Sequence, residues 1–296
     1  MKKFDYYMPE SLKEAFKFFE KFKNHARYIA GGTDLLPRIR AESRCEQPQL
    51  IFTPDALISL RKINELQGIT HNGGLSLGSM TTFRQIEQDA AIARGYPALF
   101  EAVSVLAHPQ IRNVATVGGN ICNASPCADS VPPLMVMDAV LVLAGPGGKR
   151  EIPLSEFFAG PGLIHIEPPE ILIQIRVPEM PPNTKMKFLE IGRLAQDIAV
   201  VNAAALLVMD NKKCVKCRLA VGSVAPVPLR LKKAETMMEG YELTPDLLDR
   251  AAKAVEQEVK PISDVRSTAE YRRTVAGVLV KRAIQQAVSS DTEEYE

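Results

Sequence analysis

Net charge is nearly absent from this sequence. Thirty-six Lys and Arg stand against 35 Asp and Glu, a formal charge of +1, too little for broad attraction to nucleic acid or an anionic membrane. A long apolar run is missing as well. The longest, Ile198 to Met209, is broken by Asn202, whereas a helix crossing a bilayer needs about 20 apolar residues in succession. Met1-Lys2-Lys3-Phe4-Asp5 leads into no apolar stretch of the signal-peptide kind, so cytoplasmic residence is expected. Cysteines are few and odd in number, five, which fits free thiols better than a disulfide framework. Tryptophan is absent, and nothing follows from that.

Familiar catalytic signatures are missing too. There is no Walker sequence, no G-x-G-x-x-G and no H-E-x-x-H, and His25, His71, His108 and His165 are scattered. No acid–base set or nucleophile declares itself, which suits a protein whose cofactor does the chemistry. No catalytic residue and no metal ligand is therefore assigned to this chain.

What is present is a globular composition, 46% hydrophobic and 24% charged over 296 residues, long enough for more than one core. Ser11 and Glu14 form an S-x-x-E capping box ahead of Leu12, Ala15, Phe16, Phe19 and Phe22, which share a helical face. A β-prone run from Arg27 to Ala30, the turn Gly31-Gly32-Thr33-Asp34 and a second short run from Gln49 to Phe52 complete a small α/β unit, residues 1–55. A second unit, 56–178, holds the alternation of Leu75 and Leu77, the helical spacing of Leu99, Ala102, Val103 and Leu106, and strands from Ala139 to Ala144 and Ile171 to Val177. After Pro178, Pro181 and Pro182 a third unit, 179–290, opens on an antiparallel hairpin, Ile198 to Met209 and Lys213 to Val221. Three helices follow, Arg230 to Glu239, Pro245 to Glu256 and Thr268 to Ala287. The fold class expected is α+β.

Two segments carry the chemistry. Ala30-Gly31-Gly32-Thr33-Asp34-Leu35 and Thr116-Val117-Gly118-Gly119-Asn120 each join glycines to short polar side chains, a composition that lets backbone N–H groups approach a phosphate. Alone, each is a common turn. Two of them in consecutive α/β units point to a dinucleotide bridging both. Neither contains Lys or Arg, so backbone amides would have to hold a pyrophosphate. Gly145-Pro146-Gly147-Gly148 lacks the G-K-[ST] ending of a phosphate loop and reads as a hairpin turn. Cys214 and Cys217 lie three apart on a strand-like run and are expected on opposite faces, unable to share an ion. Cys122 and Cys127 have no second pair at ligand spacing and read as structural.

With these segments goes a resemblance. Ala30 to Leu35, the stretch Gln110-Ile111-Arg112-Asn113-Val114-Ala115 running into Thr116 to Asn120, Asn123-Ala124-Ser125-Pro126 with Asp129, Pro169-Glu170-Ile171-Leu172, and Arg193 to Ala199 together resemble the FAD-binding medium subunit of the xanthine dehydrogenase and carbon monoxide dehydrogenase family of molybdenum hydroxylases. The resemblance spans nearly the whole chain. It implies a vanillyl-alcohol-oxidase (PCMH-type) FAD-binding fold of two α/β subdomains, with a C-terminal domain of antiparallel sheet and helices, and an oxidoreductase function. It also implies pyrophosphate binding by Ile29, Ala30, Gly31, Gly32, Thr33, Asp34, Leu35 and Leu36 with Thr116, Val117, Gly118, Gly119 and Asn120. Asp129 would bind ribityl hydroxyls and Leu172 the flavin. FAD would be this chain's cofactor. The [2Fe–2S] clusters would lie on a small partner subunit and the molybdopterin cofactor on a large one, with dimerisation of the complex left open.

Two departures qualify the match. The Lys that the family often places in the region corresponding to Phe188-Leu189-Glu190 is not found at those three positions, and the Cys-bearing insertion of the 4-hydroxybenzoyl-CoA reductase flavin subunit is absent, so no extra cluster is expected. The competing readings are a stand-alone FAD-dependent reductase resembling the enolpyruvyl-glucosamine reductases, and an assembly scaffold with empty glycine turns.

Overall fold

The computed structural model describes residues 3–42, 54–194 and 196–289; the run Gln49 to Phe52 lies outside them. The first sheet is parallel, in the order β1 (Asp5–Tyr7), β3 (Ala56–Ser59), β2 (Ala26–Ile29). Its central strand therefore begins at Ala56, just past residue 55. Helix α1 (Leu12–Phe22) is capped by Ser11, whose side chain accepts from the Glu14 amide. The reciprocal arm differs from the expected box. Glu14 Oε2 accepts from the amide of Glu10 at 2.9 Å, one residue before the cap. Leu12, Ala15 and Phe19 of α1 share one core with Ala26 and Ile58 of the first sheet and with Val142, Ala144, Ile171 and Ile173 of the next, so a common core joins the two sheets. On the other face of the first sheet, α2 (Leu35–Glu42) packs Ile39 on Ile29 and Leu57.

The second sheet is antiparallel throughout, in the order β4 (Ile69–Thr70), β5 (Gly74–Gly78), β10 (Ile171–Pro178), β6 (Val140–Gly145), β7 (Gly148–Pro153). Pro146-Gly147 closes the β6–β7 hairpin, with Gly145 paired to Gly148, the hairpin turn that this Gly- and Pro-rich stretch suggests. Of the helices that follow β5, namely α3 (Phe83–Gln88), α4 (Ala90–Gly95), α5 (Pro97–Val105), α6 (Pro109–Arg112), α7 (Val117–Asn123) and α8 (Val131–Val136), the last two and α5 supply the core on one side of it, and β8 (Phe158–Gly160) pairs with β9 (Leu163–Ile164) in a separate two-stranded sheet.

The third sheet runs β11 (Thr184–Ile191), β12 (Val201–Asp210), β13 (Lys213–Gly222), β14 (Leu229–Arg230), again antiparallel. Its central strand explains the longest apolar run. Ala204 and Leu206 of β12 face the core of the second sheet, while Ala203, Ala205 and Leu207 face α9 (Lys232–Met238), α10 (Pro245–Glu258) and α11 (Ala269–Ser289). A strand buried on both faces has no polar alternation to show. Polar ties fix the sheet against the second unit. Arg230 donates to Asp138 Oδ1 at 2.9 Å and Arg218 to Asp138 Oδ2 at 3.0 Å; Lys187 of β11 meets Glu101 of α5 at 2.7 Å.

Cys214 and Cys217 correct the alternation argument. Val208 pairs with Lys216, yet the next residue, Met209, pairs with Cys214. This bulge sets two residues of β13 against one of β12 and turns the strand by one side-chain position. Both cysteines consequently face the same core, both fully buried; the Cys214 thiol donates to Lys216 O at 3.4 Å and lies against the Cys217 thiol. That contact holds the Cys217 proton far above its ordinary range.

Helix α11 crosses α10 at Gly277, where a Cβ would come within 2.7 Å of the Ala252 carbonyl oxygen. Backbone cannot yield as a side chain can. Gly277→Val is expected to destabilise the third unit by about 2–3 kcal/mol, seen as a lowered thermal midpoint with cofactor binding unchanged at low temperature. An unaltered midpoint would remove this account of the helix crossing.

Candidate functional site

The first glycine segment links β2 to α2. Gly32 turns the chain with φ +74, a left-handed conformation that costs glycine little. The helical bonds then start at Leu36 N–H to Gly32 O, 3.0 Å, and Arg38 N–H to Asp34 O, 3.1 Å. The amides of residues 33–35 thus precede the first helical hydrogen bond, at the positive end of the α2 dipole, the usual place for an anion.

The second segment behaves differently from the expected amide nest. Thr116 caps α7, and the two glycines lie inside the helix's first turn. Val117 N–H donates to Thr81 O and Gly118 N–H to Ser79 O, each at 3.0 Å. Asn120 N–H donates to Thr116 O at 3.0 Å, and Gly119 N–H to Thr116 Oγ1, also at 3.0 Å. All four amides of residues 117–120 have protein partners. Gly118 and Gly119 instead permit close approach. A Cβ on Gly118 would collide with Ser79, and one on Gly31 with the Val114 carbonyl. The glycines press the two segments and the Ser79 strand end together, leaving no room for side chains between them.

Beside this junction lies a cavity of about 580 Å³, within the usual range for cofactor sites. Every residue singled out from the sequence lines it except Leu36 and Val117. Leu36 packs against the α2 core and Val117 is fully buried in the core of the second unit, so both support the wall from behind. Apolar lining comes from Leu106 and Ile111 and from Ile164, Ile166, Ile171 and Leu172.

Charge enters from residues the glycine motifs did not include. Arg27 and Arg38 both line the cavity, and burial, then the Arg38 charge, lowers Arg27 below the ordinary arginine value. Two guanidiniums that disfavour each other favour an anion between them. Their sequence signal was proximity, three residues before Ala30 and four after Asp34. Burial raises the Asp34 carboxyl. Tyr28 ties the first sheet to the second, its hydroxyl donating to Pro169 O at 3.0 Å.

The third unit reaches the cavity through Gln196, Asp197 and Ile198, not through Phe188-Leu189-Glu190. Asp197 accepts from Arg193 Nε at 2.9 Å, which lowers its pKa. Asp129 joins the same wall, with Asn202 Nδ2 donating to its Oδ1 at 2.7 Å. Of the lining cysteines, burial pushes the Cys122 thiol up to about 12, which leaves it protonated and a poor metal ligand. Arg266 donates to Cys127 Sγ at 3.4 Å. Among the described residues no cluster of three or more His, Cys, Asp or Glu side chains could hold a metal, and no helix is long and apolar enough to cross a membrane.

The arrangement suits an elongated ligand with an anionic centre and an apolar ring, which is the shape of a flavin dinucleotide. Comparisons with known proteins agree. Residues 2–180 match the family described as FAD binding domain in molybdopterin dehydrogenase, and residues 187–287 match the CO dehydrogenase flavoprotein C-terminal domain. The chain is 36% identical over 269 residues to the xanthine dehydrogenase FAD-binding subunit of Escherichia coli, covering 90% of this chain and 89% of that one. It is 33% identical over 285 residues to the carbon monoxide dehydrogenase medium chain of Afipia carboxidovorans, covering 96% of each. A solved carbon monoxide dehydrogenase from Hydrogenophaga pseudoflava superposes with a TM-score of 0.92 at 30% identity, over 97% of this chain and 98% of its counterpart.

Proposed function

Because the chain belongs to the family of FAD-binding subunits of molybdopterin dehydrogenases, we propose that it receives electrons from [2Fe–2S] clusters of a small partner subunit and passes them through FAD to an external acceptor. A large molybdopterin-bearing partner would oxidise the substrate. The observation that carries this reading is a cavity joining both glycine segments to apolar lining at Ile171 and Leu172. In support, residues 2–180 and 187–287 match a flavin-binding domain and a flavoprotein C-terminal domain.

The residues divide as follows. The α2 N-terminus, from Gly32 to Leu35, would hold the pyrophosphate with Arg27 and Arg38 as countercharge. The Thr116 to Asn120 turn would close the site by shape. Asp129 would bind ribityl hydroxyls, and Leu172 with Ile171 would pack on the ring. FAD supplies the redox chemistry when bound, while the protein orients it and keeps water from its apolar side. The units 1–55 and 56–178 would clasp the cofactor and 179–290 would cover it. Cytoplasmic residence belongs to the same proposal, on the strength of the free thiols at Cys122, Cys127, Cys214 and Cys217.

The test is electron delivery. The full chain is loaded with FAD and mixed with its copurified small partner, previously reduced by dithionite and freed of reductant. Bleaching of flavin absorbance only with the reduced partner, and release of the flavin by acid precipitation, are the expected results. Sustained substrate turnover with NAD(P)H by the chain alone would replace this reading with the stand-alone reductase.

A further inference from the structure

Asp129 lies between α7 and α8 and reaches the third sheet across the cavity wall. There Glu190 of β11 and Asn202 of β12 are direct cross-strand partners, so their side chains emerge together on one face. Asn202 donates to Asp129 at 2.7 Å, and because Glu190 is the cross-strand partner of Asn202 this brings the Glu190 carboxyl beside that of Asp129. Two carboxylates this close and this buried resist ionising together, and since an ionised carboxylate only accepts, a hydrogen bond between them needs one proton.

We propose that Asp129 and Glu190 share one proton carried by Glu190, and that the neutral Glu190 is a positioning residue, presenting the Asp129 carboxylate to the hydroxyls of the cofactor. The proposal rests on the FAD reading of the cavity. Glu190 would donate O–H to one side of Asp129 while Asn202 donates N–H, leaving acceptor capacity for a polyol. Burial, then the Asp129 charge, pushes Glu190 up to about 8; burial pushes Asp129 up to about 6 against the two hydrogen bonds it accepts. The order places the proton on Glu190 near neutrality, as for a pair of like charges that cannot both ionise.

The other charged groups around this wall are engaged elsewhere. Lys187 of β11 binds Glu101, and Arg193 binds Asp197. In the segment before α11, Arg266 binds Asp264 and donates to Cys127; Arg272 of α11 binds Asp264 and two carbonyls. Cys122 of α7 stays neutral. Among the described residues neither Asp129 nor Glu190 enters an ion pair, so nothing offsets a second negative charge when the proton leaves.

The protonated pair is the binding form. Affinity is therefore highest between the Asp129 and Glu190 values and is lost as pH rises through the upper one, by about tenfold per pH unit. FAD dissociation constants of the deflavinated full chain, measured by flavin fluorescence from about pH 6 to about pH 10, should show a break near 8. Glu190→Gln, whose amide always donates, should bind FAD as the wild type does at pH 7 and lose the break. Asp129→Asn should bind more weakly at every pH. Infrared difference spectra should show a neutral carboxyl band at pH 7 that Glu190→Gln lacks.

A pH-independent wild-type affinity, or a Glu190→Gln variant that keeps the break, would overturn the proposal. If Asp129→Asn binds FAD like the wild type while the infrared band persists, the placement of Asp129 against the cofactor is what fails, and the positioning role falls with it.

Discussion

Arg272→Met is expected to cost about 3–4 kcal/mol of folding stability, the largest loss from any single side chain of the third unit. Arg272 is 1% exposed. Its Nη1 donates to Val200 O at 2.8 Å and Ser223 O at 3.1 Å, and its Nη2 to Asp264 Oδ1 at 2.7 Å. One guanidinium therefore ties the entry to β12, the exit from β13 and the segment before α11. Each hydrogen bond to a charged group contributes about 1.5–3 kcal/mol, and unpaired buried carbonyls add their desolvation cost. Relief from burying the cation, whose Nε has no partner, offsets part of that. Arg272→Lys, keeping the charge without the planar fork, should recover only a fraction.

Acid should expose the same network. The Arg266 hydrogen bond first, and Arg272 after it, hold Asp264 well below its ordinary carboxylate value of 3.8. A depressed folded-state pKa gives stability that is present above the unfolded value and is lost as pH falls through the folded one. Urea midpoints should fall for the wild type between about pH 5 and about pH 2, and fall less for Arg272→Met. Equal midpoints for the two proteins at neutral pH would show that the guanidinium is dispensable.

Much of this architecture could be read from residue order because local signals and tertiary demands coincide. The Pro-Gly turn between β6 and β7 and the α11 helix are examples. The misreadings share one physical origin, the dependence of a side chain's direction on a partner strand or segment that sequence does not display. The strand alternation that puts Cys214 and Cys217 on opposite faces is sound until the bulge opposite Val208 resets it. Glycines at 118 and 119 suggest free amides, yet Ser79, Thr81 and Thr116 claim them. Strand β11 was hidden by the lysines at 185 and 187, which give it a mixed pattern. Of the cavity wall, the glycine segments were legible because their composition is unusual. Arg27, Arg38 and Gln196 to Ile198 were not, since common residue types reach the site only through the fold.

Gly31→Val should lower FAD affinity by at least about 100-fold, with the third unit folded and β12 and β13 intact. A Cβ at position 31 would overlap the Val114 carbonyl and come within 2.9 Å of Ala115 Cα. These atoms cannot step aside, because the segment they belong to is anchored: Ala115 O accepts from Phe83 N–H at 3.1 Å, and Val117 N–H donates to Thr81 O. The first segment must therefore retreat, carrying the α2 N-terminus away from Thr116 and Asn120. Forced overpacking costs about 1–3 kcal/mol even where side chains can adapt, and 1.4 kcal/mol is a factor of ten in affinity. Two such factors are the expected minimum here. Cys217→Ser, in the core of the third unit, is the control and should keep its flavin. Titration of each deflavinated variant with FAD, alongside far-ultraviolet circular dichroism, decides the matter: a well-folded Gly31→Val protein with wild-type affinity would mean that the junction of the two glycine segments does not build the pyrophosphate site.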